Sequence, residues 1–110
     1  MVNILAVISE DAYASKIVEI LRDSQESCSR LLYVSLNKTY RSLVEDFGGA
    51  HINTQNFFFI DTITKTIIVP EKADNCVFLS GPEDVKSLYR EIIRAVKERD
   101  IEMVLFDSLS

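Results

Sequence analysis

Any chemistry in this sequence would sit on the polar residues that directly follow short apolar runs. Ser9, Glu10 and Asp11 close the run Val2–Ile8, and Asn37 and Lys38 close Leu31–Leu36. Asp61 ends Phe57–Ile60, Ser80 ends Cys76–Leu79, and Asp107 and Ser108 follow Met103–Phe106. Adjacent carboxylates such as Glu10 and Asp11 suit a divalent cation, because hard cations take oxygen ligands. A lone strand-end aspartate such as Asp61 or Asp107 can accept a phosphoryl group or hold a magnesium shell. The same residue types also open loops and cap helices, so each position has an ordinary reading beside the chemical one.

The elements that would position these residues follow from apolar periodicity. Five short apolar runs, Val2–Ile8, Leu31–Leu36, Phe57–Ile60, Cys76–Leu79 and Met103–Phe106, predict buried strands. Ala14, Ile17, Val18 and Leu21 share one helical face, as do Tyr40, Leu43, Val44 and Phe47. Asn37 or Thr39 can cap the second of these helices, and Gly48-Gly49 can supply the left-handed residue that ends it. Val85, Leu88, Tyr89, Ile92 and Val96 form the stripe of a third, longer helix, which the segment Ser80–Asp84 would start. Ile67-Ile68-Val69 is β-branched and predicts a short extra strand ending at Pro70. Strands alternating with helices predict a three-layer α/β domain, an open and mainly parallel sheet of about five strands with helices on both faces. In such sheets ligands bind at the carboxyl ends of the strands, where the polar residues above fall.

Composition narrows the function classes. The chain has 110 residues, 17 acidic and 12 basic, for a formal charge of −5. That length suits one domain with a real core. The acidic balance, with no run of Lys and Arg, argues against nucleic acid as a partner. No apolar run is long enough to cross a membrane, and Val2–Ile8 lacks the flanks of a signal peptide. Cys28 and Cys76 are far apart and outside any CxxC pair, which places the chain in a reducing, cytoplasmic setting. His51 is the only histidine, so a zinc site would need it to converge with both cysteines, and none is expected.

The phosphate loop is the sharpest test for a nucleotide. A GxxxxGK[ST] loop after the first strand would let backbone N–H groups cradle phosphate. The matching stretch is Glu10-Asp11-Ala12-Tyr13-Ala14-Ser15-Lys16-Ile17. Only Lys16 fits it. Both glycines and the magnesium-binding hydroxyl are missing, and two carboxylates stand where phosphate oxygens would go. Four apolar residues followed by Asp107 have the form of a Walker B strand, but without the loop Asp107 has no nucleotide to serve. No GxGxxG or GxSxG is present, and no Ser or Cys is near His51 for nucleophilic catalysis.

Four blocks resemble one family in their order. They are Leu32–Tyr40 with its Asn37-Lys38-Thr39-Tyr40, Phe58–Thr64, Val77–Pro82, and the terminal Val104–Ser110 with its Asp107-Ser108-Leu109-Ser110. Together they resemble archaeal KaiC-like domains of the RecA superfamily, in particular those whose phosphate loop has decayed. The resemblance implies a RecA-like domain over 1–110, or the N-terminal part of one. It implies that Asp107 matches the Walker B carboxylate, with Ser108 beside it, and that Lys16 matches the phosphate-loop lysine. These are the cofactor-facing candidates, with Asp107 the metal candidate; Glu10, Asp11, Asn37, Lys38, Asp61 and Ser80 line the strand-end cleft. The missing loop implies a pseudo-ATPase with no cofactor, acting on a protein partner or by self-association. An alternative is a receiver-like signalling domain, with Glu10 and Asp11 as the magnesium pair, Asp61 as phospho-acceptor and Ser80 as switch hydroxyl.

Overall fold

A parallel sheet organises the chain. The structure, a computed structural model, describes residues 3–9, 19, 30–81 and 84–109. Its elements are β1 (Asn3–Ser9), β2 (Leu31–Ser35), α1 (Tyr40–Gly49), β3 (Phe57–Asp61), β4 (Cys76–Phe78), α2 (Val85–Glu98) and β5 (Met103–Leu109). The strands form one five-stranded sheet in the order β1-β5-β2-β3-β4, and every ladder in it is parallel. The predicted helix around Ala14–Leu21 lies outside the described residues, save Glu19, which is helical and exposed.

Strand phase decides the layers. Leu31, Tyr33, Phe57, Phe59 and Leu105 point to one face and pack with Leu43 and Phe47 of α1. Leu32, Val34, Phe58, Ile60 and Val104 point to the other and pack with Leu88, Ile92, Ala95 and Val96 of α2. The result is the expected α/β architecture with helices on both faces. Chain direction explains the split. From β2 the chain crosses through α1 to β3 on one side; from β4 it returns through α2 past β3 and β2 to reach β5. Right-handed crossovers in opposite directions must use opposite faces. The α1 face is strongly aromatic, with Tyr33 edge-on to Phe47 at 5.5 Å and Tyr40 edge-on to Phe59 at 5.2 Å.

Several local expectations are corrected. One holds: of the two expected caps, Thr39 closes the start of α1, its side chain accepting from Ser42 N–H. Neither Gly48 nor Gly49 takes a left-handed conformation; His51 does, at φ 60°. Ile52 N–H donates to Phe47 C=O at 2.8 Å and His51 N–H to Gly48 C=O at 3.1 Å, a Schellman ending in which Ile52 packs back beside Phe47. Ile67-Ile68-Val69 forms no strand. A single 3₁₀ turn, Thr64–Thr66, diverts the chain there, and β4 takes the position beside β3. The three side chains stand 70%, 61% and 93% exposed. Ser80 does not start α2; Asp84 does, accepting from Ser87 N–H. Val85 and Tyr89 lie off the buried stripe of that helix, whose one fully buried residue is Ala95.

Candidate functional site

The carboxyl ends of three adjacent strands place Asp107, Ser35 and Asp61 side by side. Ser35 of β2 is in register with Asp107 of β5 on one side and with Asp61 of β3 on the other. All three share the α1 face and are buried. With neighbouring strands roughly 4.8 Å apart, the two aspartates flank Ser35 at about 10 Å from each other. Asp107 was expected just beyond its strand. Instead β5 runs on to Leu109, so Asp107 and Ser108 are ladder residues, opposite Val7 and Ile8 of β1. The alternation of strand side chains turns Asp107 into the core.

Asp61 is fully engaged by its own surroundings. One carboxylate oxygen accepts from the backbone N–H of Ile63 at 2.7 Å and of Thr64 at 2.9 Å. The other accepts from Tyr40 N–H at 2.6 Å and from the Thr64 hydroxyl. Tyr40 is the first residue of α1, so Asp61 satisfies one of the free N–H groups at that helix start and suits its dipole. It also fixes the turn that follows β3. A carboxylate with four donors and no exposure presents no oxygen to a phosphoryl donor.

Asp107 is held differently. Tyr33 donates its phenolic O–H to Asp107 Oδ2 at 2.5 Å. Tyr33 is in register with Leu105, so the bond runs diagonally to the residue two places on, within reach of a tyrosine. Asp107 Oδ1 has no hydrogen-bond partner among the described residues. Burial pushes the Asp107 carboxyl up to about 7, because a charge loses hydration in the interior. The Tyr33 hydroxyl is pushed well above its usual range, mainly by burial and secondarily by the charge of Asp46. The pair is therefore a phenol donating to a carboxyl that keeps its proton at mildly acidic pH and loses it as pH rises through about 7.

The remaining described candidates, Asn37, Lys38 and Ser80, lie in the turns that follow β2 and β4. Lys38 N–H donates to Ser35 Oγ at 3.0 Å, and Ser35 Oγ donates back to Lys38 C=O, closing the turn after β2. The Lys38 ammonium pairs with Asp46 of α1 at 3.3 Å. Asn37 is half-buried in that turn, and Ser80 is exposed at a bend after β4. Glu10, Asp11 and Lys16 lie outside the described residues. Tyr33 and Thr64 are the partners that sequence reasoning missed. For Tyr33 the signal was its phase, two residues before Ser35 on the face that Asp107 shares.

A polar cleft of about 330 Å³ lies at the opposite, amino-terminal end of the sheet, beside Arg30, Phe58, Asn75 and Arg99. The Arg99 guanidinium sits 3.8 Å above the Phe58 ring, and Arg30 pairs with Asp100 at 3.5 Å. Among the described residues no group of His, Cys, Asp and Glu is arranged to hold a metal, and no helix is long and apolar enough to cross a membrane.

Fold and site define an open parallel α/β domain with two buried carboxyls at the carboxyl edge of its sheet. Compared with family models, curated proteins and solved structures, the chain has no match.

Proposed function

We propose that this chain is a RecA/KaiC-like pseudo-ATPase domain of the cytoplasm that acts through protein contact. The observation that carries the reading is the internal use of its two strand-end aspartates. Asp61 serves the start of α1, and Asp107 is buried on Tyr33 with a carboxyl raised to about 7. A magnesium shell needs an ionised, reachable carboxylate. The sequence after β1 supports the same reading, since Glu10 and Asp11 stand where a phosphate loop needs glycines. Protein contact is supported by large apolar side chains left in solvent, Ile67, Ile68, Val69, Val85 and Tyr89. The buried free thiol of Cys76 suits a reducing compartment.

The receiver-like alternative gains no support from the geometry. Flavodoxin-like sheets run 2-1-3-4-5, whereas here β1 pairs with β5 and Asp61 is closed off. Titration calorimetry with ATP and Mg²⁺, followed by a phosphate-release assay, tests the proposal. No turnover is expected, and micromolar binding with turnover would overturn it. Incubation with acetyl phosphate and Mg²⁺ is expected to leave Asp61 unmodified; a stable adduct there would favour the receiver.

A further inference from the structure

We infer that the outer face of α2 is a docking surface for an acidic, amphipathic partner helix. This inference rests on the protein-contact reading and names the site and the partner's chemistry. Helical spacing sorts α2 into three strips. Leu88, Ile92, Ala95 and Val96 face the sheet. Beside them Val85, Tyr89 and half-buried Ile93, at i, i+4 and i+8, form a second apolar strip whose first two members stand in solvent. Val85 is 67% and Tyr89 66% exposed. Next to that strip lie Lys86, Arg90 and Lys97, which share the adjoining arc of the helix. Val85, Lys86, Tyr89, Arg90 and Ile93 together line a shallow groove of about 550 Å³.

Charge decides what fits there. The whole chain carries −5, yet Lys86, Arg90, Arg94, Lys97 and Arg99 bring five of its 12 basic residues to this one segment. Arg94 is neutralised by Glu91 at 3.2 Å, at the edge away from the apolar strip. Among the described residues Lys86, Arg90 and Lys97 have no ion pair. Asp84, at the helix start, is held below the usual carboxylate range first by Ser87, with Arg90 a smaller cause. An apolar strip with a basic flank is complementary to a helix that carries apolar residues at i, i+3 and i+4 with Glu or Asp alongside. A second copy of this chain fits poorly, because an antiparallel two-fold pairing would set each basic row against the other.

The probe is a synthetic helical peptide of leucine and glutamate with that pattern, titrated into the full chain. A counterpart with lysine for glutamate and vesicles of equimolar phosphatidylcholine and phosphatidylserine are run in parallel. The expected result is binding of the acidic peptide alone, weakened by salt. Lys86→Glu with Arg90→Glu should weaken it by about tenfold or more, and Tyr89→Ala should weaken it with all charges kept. Circular dichroism confirms that these surface variants fold. Absence of peptide binding, equal binding of the lysine peptide, or unchanged affinity in the variants would overturn the inference. Vesicle binding without peptide binding would overturn it in favour of a membrane surface, and dimerisation abolished by the same variants in favour of a second copy. ATP turnover by the same preparation would instead overturn the pseudo-ATPase reading, so the two failures are distinct.

Discussion

Replacing Asp107 by asparagine should change how stability depends on pH. Burial holds the native Asp107 carboxyl at about 7, whereas an aspartate in the unfolded chain titrates at about 3.9. Between those values the native protein keeps a proton that the unfolded chain has released. Stability therefore falls as pH rises through that window, by about 1.4 kcal/mol per pH unit, and the loss levels off near 4 kcal/mol above pH 7. Asp107→Asn removes this titration and keeps a carbonyl oxygen for the Tyr33 hydroxyl. It also places an amide where Oδ1 has no partner, a pH-independent cost of about 1–3 kcal/mol. The variant should thus be less stable than the parent near pH 4 and should overtake it towards pH 8. Urea unfolding of both proteins at intervals across about pH 4 to 8 measures the difference free of the other carboxylates. A difference that stays constant across that range would refute the reasoning, because Asp107 would then ionise alike in both states.

Asp61→Asn sets an amide donor either against the Tyr40 N–H at the start of α1 or against those of Ile63 and Thr64 in the turn after β3, and urea unfolding at neutral pH should show a loss of about 3 kcal/mol or more. Phe47→Ala empties the centre of the aromatic layer and should cost about 3–5 kcal/mol, read from the same curves with an unchanged m-value. Gly48→Ala should raise stability by about 0.5–1 kcal/mol, since a side chain there meets nothing within 4 Å and the residue is helical. Cys76 is buried, and its thiol is pushed well above the usual range, first by burial and then by Asp61. In a Cys28→Ser background it should resist a thiol-specific chromogenic disulfide until denaturant is added; rapid native labelling would contradict its placement.

Much of the fold was legible because apolar runs and helical spacing are local. The strands read as Leu31–Leu36 and Phe57–Ile60 appear with their ends moved by one residue, as Leu31–Ser35 and Phe57–Asp61, and the helix carrying Tyr40–Phe47 appears as read. The failures came where a distant residue decides the outcome. Ile67-Ile68-Val69 has strand chemistry, but Asp61 turns the chain at Thr64 and β4 takes the place beside β3. Gly48-Gly49 looks like a helix stop, yet the left-handed residue is His51, because that ending brings Ile52 against Phe47. Val85 and Tyr89 match the stripe of α2, but the sheet meets the helix over Leu88, Ile92 and Ala95.

By itself the sequence determined the α/β class, the absence of a phosphate loop after the first strand, and where the five strands lie, though not their last residues. Those are properties of composition, spacing and neighbouring residues. Only the tertiary structure decided that Asp107 lies within its strand on Tyr33, that Asp61 serves the start of the helix before its own strand, and that basic residues gather on one side of α2. Each of these depends on which strands are neighbours and which helical face meets the sheet. Strand order and packing are settled by burying all the apolar faces together, and no local window of sequence contains that information.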